Sequence, residues 1–281
     1  MLIRTFAAFM LLFVTAANAT DRWMEIPQPA AMPEAVKSGK ANVNGIEMYF
    51  AEYGTAAGTP ILMIHGGLAH ADVWGNITAD LSKDYRVIVA DTRGHGRSTN
   101  DGSEYTYETL AKDYIALLDH LGVDKVHLVG WSDGANIGYV ISGTNPERLA
   151  SHFAHAGNVT LAGIDPEAGN NEVFGGYIGM MAADYAKLSP TPDGFQAFLD
   201  GVVKMWGTDK PGGMEALKSV TVPTLVVQSQ YDEGILMEHS KQISETIPGA
   251  DLLVLKDLSH FASFQAPDEY AAAVREFVGK Q

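Results

Sequence analysis

Short, mostly apolar runs alternate along this chain with longer segments whose apolar residues recur at helical spacing. The apolar runs are Pro60 to Ile64, Tyr85 to Ala90, Val126 to Val129, Ala150 to Ala154, Val222 to Val227 and Ala250 to Leu255. Runs that short, with no polar alternation, are expected of strands buried on both faces of a sheet. Between them, Tyr107–Leu121, Ala135–Ser142, Glu238–Ile247 and Pro267–Val278 predict helices. Strands alternating with helices predict an α/β fold: a mostly parallel sheet with helices on both faces, since parallel neighbours need crossover connections. Upstream, Val43 to Tyr53 alternates about Asn44-Gly45, a hairpin turn signal. Residues from Thr20 to about Lys40 hold several prolines and no period, which predicts an extended leader lying on the domain.

One interval breaks the alternation. From about Val159 to Ser219 no run reads as a strand, but Phe195, Phe198, Leu199, Val202, Val203 and Trp206 recur at i, i+3, i+4, i+7, and Phe174, Tyr177, Ile178, Met181 and Tyr185 behave similarly. The expected organisation is a core of residues 20–158 and 220–281 with a helical cap, 159–219, inserted between two strands. Most apolar cap residues are expected to pack cap on body, and a few to face the crevice they roof.

Length and composition narrow the picture. A chain of 281 residues, 46% of them hydrophobic, suffices for one large domain with a full core. Arg4, the apolar stretch Phe6 to Val14 and the small-x-small site Ala17-Asn18-Ala19 predict a cleavable signal peptide, 1–19, with the mature chain beginning at Thr20. The apolar stretch is shorter than the roughly 20 residues of a spanning helix, so stable membrane anchoring is not expected. Export together with the absence of cysteine predicts a bacterial periplasmic or secreted protein whose core needs no disulfides. A formal net charge of −15 argues against nucleic acid and anionic membranes as partners.

The most informative segment is Gly130-Trp131-Ser132-Asp133-Gly134. It reads G-x-S-x-G, follows the apolar run Val126–Val129 and precedes a predicted helix, the strand–turn–helix setting of a nucleophile elbow. A serine at such a tip is pushed clear of the sheet, and the helix behind it turns N–H groups toward a developing oxyanion. An activated serine needs a base, and the base needs an orienting carboxylate. Asp232, just after the Val222–Val227 run, is the expected acid; Glu233 beside it is the alternative, but it falls later after the strand and is expected to be a solvated or rim charge. His260, just after the Ala250–Leu255 run, is the expected base. Both fall at carboxyl ends of strands, where open α/β sheets place their sites. His239 comes too early, at a helix start, and the spacing of His152 and His155 on one strand is poor for a shared metal. No metal and no organic cofactor is expected.

The oxyanion donors are expected to be the N–H groups of Asp133 and of Gly67, in His65-Gly66-Gly67-Leu68, where glycines let backbone approach a carbonyl. His65 reads as a brace for that loop. Leu68, Trp131, His155 and Phe261 are expected to line the substrate pocket. The Asp133 carboxylate has two readings: it pairs with a substrate ammonium, or it complements the N-terminus of the following helix.

Together, His65-Gly66-Gly67, Asp91-Thr92-Arg93-Gly94-His95-Gly96-Arg97-Ser98, the elbow, Asp232 and His260 resemble the α/β-hydrolase superfamily, over about Val43 to Val278. The Asp91–Ser98 segment is similar to the D-x-R-G-x-G-x-S stretch of capped esterases, lactonases and carbon–carbon bond hydrolases, which implies a bracing role. The G-W-S-D-G spelling resembles the biphenyl-hydrolase-like amino acid ester hydrolases. Ser229 and Ser259 stand where the family often has glycine before its acid and its histidine. A serine at 132 is unlike the haloalkane dehalogenases and epoxide hydrolases of this fold, which carry Asp there. The resemblance implies the α/β-hydrolase fold and the Ser132-His260-Asp232 triad but does not fix the substrate; with the signal segment, the leading expectation is an exported serine hydrolase acting on small-molecule esters of small or medium acyl groups. A carbon–carbon bond hydrolase, a lactonase or an aminopeptidase on the same triad are alternatives, as is a non-catalytic binder on this scaffold, which an intact triad disfavours.

Overall fold

Asn44 and Gly45, both at positive φ (43° and 84°), turn the chain between strands β1 (Lys37–Val43) and β2 (Ile46–Tyr53), as a tight hairpin requires. The computed structural model describes residues 21–281; the expected signal segment, 1–19, lies outside the described residues. Beyond the hairpin come β3 (Ile61–Ile64), α1 (Gly75–Leu81), β4 (Val87–Ala90), α2 (Tyr107–Leu121), β5 (Val126–Trp131), α3 (Asp133–Thr144) and β6 (Leu149–His155). The chain then runs through α4 (Glu172–Leu188), α5 (Phe195–Trp206) and α6 (Gly213–Leu217) before β7 (Thr224–Ser229). It ends with α7 (Met237–Thr246), β8 (Asp251–Leu255), α8 (Ala262–Gln265) and α9 (Pro267–Val278).

The strands form one eight-stranded sheet in the order β1-β2-β4-β3-β5-β6-β7-β8. β2 runs antiparallel to β1 and β4, and the remaining neighbours are parallel. Every residue of β3, β4 and β5 is buried, so both faces of the central sheet are covered, as their unbroken apolar runs predict. The chain therefore has the α/β-hydrolase fold.

Several boundaries differ from those read along the sequence. The leader ends sooner, because Lys37 to Lys40 already pair with Tyr49 to Glu52. Only Ala41 and Val43 of β1 are buried, so this edge strand is defined by backbone pairing and carries almost no apolar signal. β7 begins one residue after Pro223, which has no N–H to give a neighbouring strand. Helix α1 was not expected from the pattern. It begins at Gly75, where any Cβ would strike the Ala30 carbonyl, so the leader is laid directly over it.

The cap helices form as their periodicity predicts. Asn171 Oδ1 accepts from the Val173 and Phe174 amides at 2.9 and 3.1 Å and caps α4. α4 buries Tyr177, Met181 and Tyr185, and α5 buries Phe198, Val202 and Met205. Tyr185 stacks on Phe198 with ring centroids 5.0 Å apart. Among the described residues no helix is long and apolar enough to cross a membrane.

Candidate active site

β5 ends at Trp131, α3 starts at Asp133, and Ser132 alone makes the turn at φ 54° and ψ −116°. A non-glycine residue held there costs about 1–3 kcal/mol, which the surroundings must impose. They do so through close packing: a Cβ at Gly134 would strike the Ile64 carbonyl, and one at Gly130 the Gly134 carbonyl. The Ser132 amide donates to the His155 carbonyl at 2.8 Å, pinning the turn to β6.

Ser132 and His260 line one cavity of about 420 Å³ beneath the cap. A larger cleft, about 720 Å³, lies between residues 98–106 and the cap, but neither Ser132 nor His260 lines it. His260 Nδ1 is 2.9 Å from Asp232 Oδ1, with both side chains buried. That oxygen also accepts the Gly234 and Ile235 amides at 2.9 and 2.8 Å. Burial works to raise the Asp232 carboxyl, yet the facing imidazole and these amides outweigh it and hold the group below its ordinary range. For His260, burial works to lower the pKa, and the charges of Asp232, Glu233 and Asp133 overcome it and raise it. The bond to Nδ1 sets the tautomer that leaves Nε2 as the base nitrogen.

The loop carrying His260 is held from two sides. Trp131 Nε1 donates to the His260 carbonyl at 2.8 Å, and the His260 amide donates to Glu233 Oε2 at 2.9 Å. Glu233 is thus no solvated rim charge; it braces the histidine loop, and burial raises its carboxyl.

Gly67 lies against the elbow, where an added Cβ would come 2.5 Å from both Asp133 Oδ2 and the Trp206 ring. Its carbonyl accepts the Tyr177 hydroxyl at 2.6 Å, which aims this loop from the cap. His65 braces the same loop: Nδ1 donates to the Gly66 carbonyl at 2.8 Å and Nε2 accepts the Thr92 amide at 3.0 Å. Behind it, Asp91 accepts the Ala71 and Arg97 amides at 2.7 Å each, and Arg93 pairs with Asp113 through two hydrogen bonds of 2.7 and 2.9 Å.

The four residues expected to touch substrate do not line the cavity. Leu68, Trp131, His155 and Phe261 are each at most 2% exposed. Trp131 alternates to the inner side of β5 and packs against His260, Phe261 and Tyr177. His155 Nε2 is 3.1 Å from Ser229 Oγ, and burial drives its imidazole down to about 3. The cavity wall is instead built largely by the cap, through Phe174, Ile178, Val203 and Trp206. Asp133 is the first residue of α3, so its charge complements that helix N-terminus as the second reading expects, and its oxygens are also taken: Oδ1 accepts the Tyr107 hydroxyl at 2.6 Å and Oδ2 the Trp206 indole N–H at 2.8 Å.

Lys210 was missed. It lies in Gly207-Thr208-Asp209-Lys210-Pro211-Gly212-Gly213, a segment with no period to say which way a side chain points. The side chain is 3% exposed and lines the cavity with Ser132 and His260. Its ammonium donates to Asn158 Oδ1 at 3.1 Å and lies 4.7 Å above the Tyr107 ring.

Residues 59–197 match the family model of the α/β hydrolase fold. Over 248 residues the chain is 26% identical to the pimeloyl-acyl-carrier-protein methyl ester esterase of Aeromonas salmonicida, covering 79% of this chain and 96% of that protein. Over 272 residues it is 26% identical to the 2-hydroxy-6-oxo-6-(2'-aminophenyl)hexa-2,4-dienoic acid hydrolase of Metapseudomonas resinovorans, covering 85% and 90%. Among solved structures it resembles an N-acyl homoserine lactone degrading enzyme, with a TM-score of 0.72, 27% identity, and coverage of 85% of this chain and 100% of that one. The chain belongs to the α/β-hydrolase superfamily.

Proposed function

We propose that this protein is a serine hydrolase that cleaves carboxylic esters of small or medium acyl groups through an acyl-enzyme. The observation that carries this reading is the meeting of Ser132 and His260 on one cavity, with the histidine held by Asp232 at 2.9 Å. Ser132 Oγ attacks the ester carbonyl carbon while His260 Nε2 takes its proton. The oxyanion so formed is received by the N–H groups of Gly67 and Asp133. Collapse breaks the bond to the alcohol oxygen, and His260 returns the proton to that oxygen. Water, deprotonated by the same imidazole, then attacks the acyl carbon and releases the acid and Ser132. Asp232 stabilises the imidazolium in both halves.

A cavity of about 420 Å³ roofed by the cap helices suits a small molecule better than a polymer. The relatives include an ester hydrolase, a lactone-degrading enzyme and a dienoic acid hydrolase. We propose export as well, a reading that rests on the sequence of residues 1–19 and on the absence of cysteine.

The test is hydrolysis of 4-nitrophenyl esters of increasing acyl length by the wild type and Ser132→Ala. Turnover by the wild type, with a loss of about a thousandfold or more in the variant, supports the reading. Equal rates would remove Ser132 as nucleophile. A wild type inert on every ester but active on a vinylogous diketone would make it a carbon–carbon bond hydrolase.

A further inference from the structure

Resting on the ester-hydrolase reading above, we propose that the cavity beside Ser132 takes an ester that also carries a carboxylate, and that the Lys210 ammonium receives that carboxylate. An ammonium has three N–H donors and strongly prefers either water or an anionic partner. Lys210 has neither in full. It is 3% exposed, gives one hydrogen bond to Asn158 Oδ1 at 3.1 Å, and meets the Tyr107 ring at 4.7 Å. Among the described residues no carboxylate comes within 4.0 Å of it.

The nearby acids are committed elsewhere. Asp133 lines the same cavity, but its two oxygens accept Tyr107 and Trp206. Asp209 adjoins Lys210 in the chain, but its Oδ1 accepts the Leu161 amide at 2.7 Å. Burial accordingly lowers the Lys210 pKa to about 8 despite the attraction of Asp133 and Asp209. The ammonium is nonetheless well placed. The Asn158 amide donates to Asn136 Oδ1 at 2.8 Å and its Nδ2 donates to the Thr160 carbonyl at 3.1 Å, so the carbonyl oxygen that holds Lys210 is itself fixed. Lys210 lines the Ser132 cavity together with Asn158, and also a smaller one of about 140 Å³ without Ser132; a positioned, desolvated cation on the wall of the reaction cavity, with remaining donor capacity, suits an anion of the substrate.

Two matched ester pairs test this, followed by titration of released acid. Monomethyl glutarate against methyl 4-carbamoylbutanoate places the charge on the acyl side; 2-butyryloxyacetate against 2-butyryloxyacetamide places it on the alcohol side. The wild type is expected to favour one carboxylate by about tenfold or more in kcat/KM, mainly through KM. Lys210→Met is expected to erase that ratio and Lys210→Arg to keep much of it, with Lys210→Gln as a second neutral variant should Met prevent folding. A wild type that treats both members of each pair alike, or a preference that survives in a folded neutral variant, overturns the assignment. If no ester is turned over, the ester-hydrolase reading fails separately. Calorimetric titration with glutarate and glutaramide then decides Lys210: tighter glutarate binding that the neutral variant loses sustains it, and equal binding refutes it.

Discussion

The Trp206 indole N–H donates to Asp133 Oδ2 at 2.8 Å, so the last residue of cap helix α5 is bonded to the residue directly after Ser132. The other Asp133 oxygen is held by the Tyr107 hydroxyl from α2. The proposed oxyanion donor thus belongs to a residue whose side chain is clamped between core and cap. Trp206→Phe keeps an aromatic ring against Gly67 and removes the donor. A hydrogen bond to a charged group contributes about 1.5–3 kcal/mol, so kcat/KM on a short ester is expected to fall about tenfold or more, with the thermal midpoint lower by a few degrees. An unchanged kcat/KM would show that the cap can be released without disturbing the elbow.

The braces behind the site make a different demand. The Arg93 and Asp113 side chains are each 1% exposed and are joined by two hydrogen bonds. Arg93 also donates to the Asn44 carbonyl at 3.0 Å and pairs with Asp101 at 2.9 Å, linking the loop after β4 to the hairpin turn. Removing one partner of a buried pair strands the other charge, which typically costs about 3–5 kcal/mol. Asp113→Ala is expected to lose that much stability in denaturant unfolding. A loss below about 1 kcal/mol would mean that Asp101 and the Asn44 carbonyl satisfy the guanidinium unaided.

What could be read along the chain follows from the physics of each element. β3, β4 and β5 are buried on both faces, so their composition alone marks them, and α2, α5 and α9 end where their apolar periodicity ends. Ser132, Asp232 and His260 stand out because each follows a strand at the sheet edge where such folds place their chemistry. The cavity wall was not legible. Trp131 and Phe261 neighbour Ser132 and His260 in sequence, but successive side chains along extended chain point to opposite sides, and theirs are buried in the core. The wall comes from α4 and α5, whose stripes look the same whether they face the core or the crevice. Lys210 was hidden for the opposite reason: a single cation among glycine and proline reads as solvent-exposed until tertiary contacts bury it.

The sharpest test of the His260–Asp232 pair is its pH dependence. Burial pulls the His260 pKa down, but the charge and hydrogen bond of Asp232, with Glu233 and Asp133 behind them, carry it above its ordinary 6.5. The base must be neutral to take the Ser132 proton, so kcat/KM is expected to fall as pH drops through that raised value and to level off above it. Asp232→Asn removes the main raising charge and leaves burial less opposed. The acid limb should therefore move to lower pH while the plateau rate drops by about 10⁴-fold, since the amide no longer holds the productive tautomer or the imidazolium. Stability follows the same linkage. The raised His260 contributes stability that is fully present below pH 6.5 and lost as pH rises through its folded pKa; the depressed Asp232 contributes stability present above 3.8 and lost as pH falls through its own. A pH–rate profile of the two proteins on one ester separates these effects from a merely structural role. An Asp232→Asn variant that is slow but keeps the wild-type acid limb would mean that the titrating base is not the histidine this carboxylate holds.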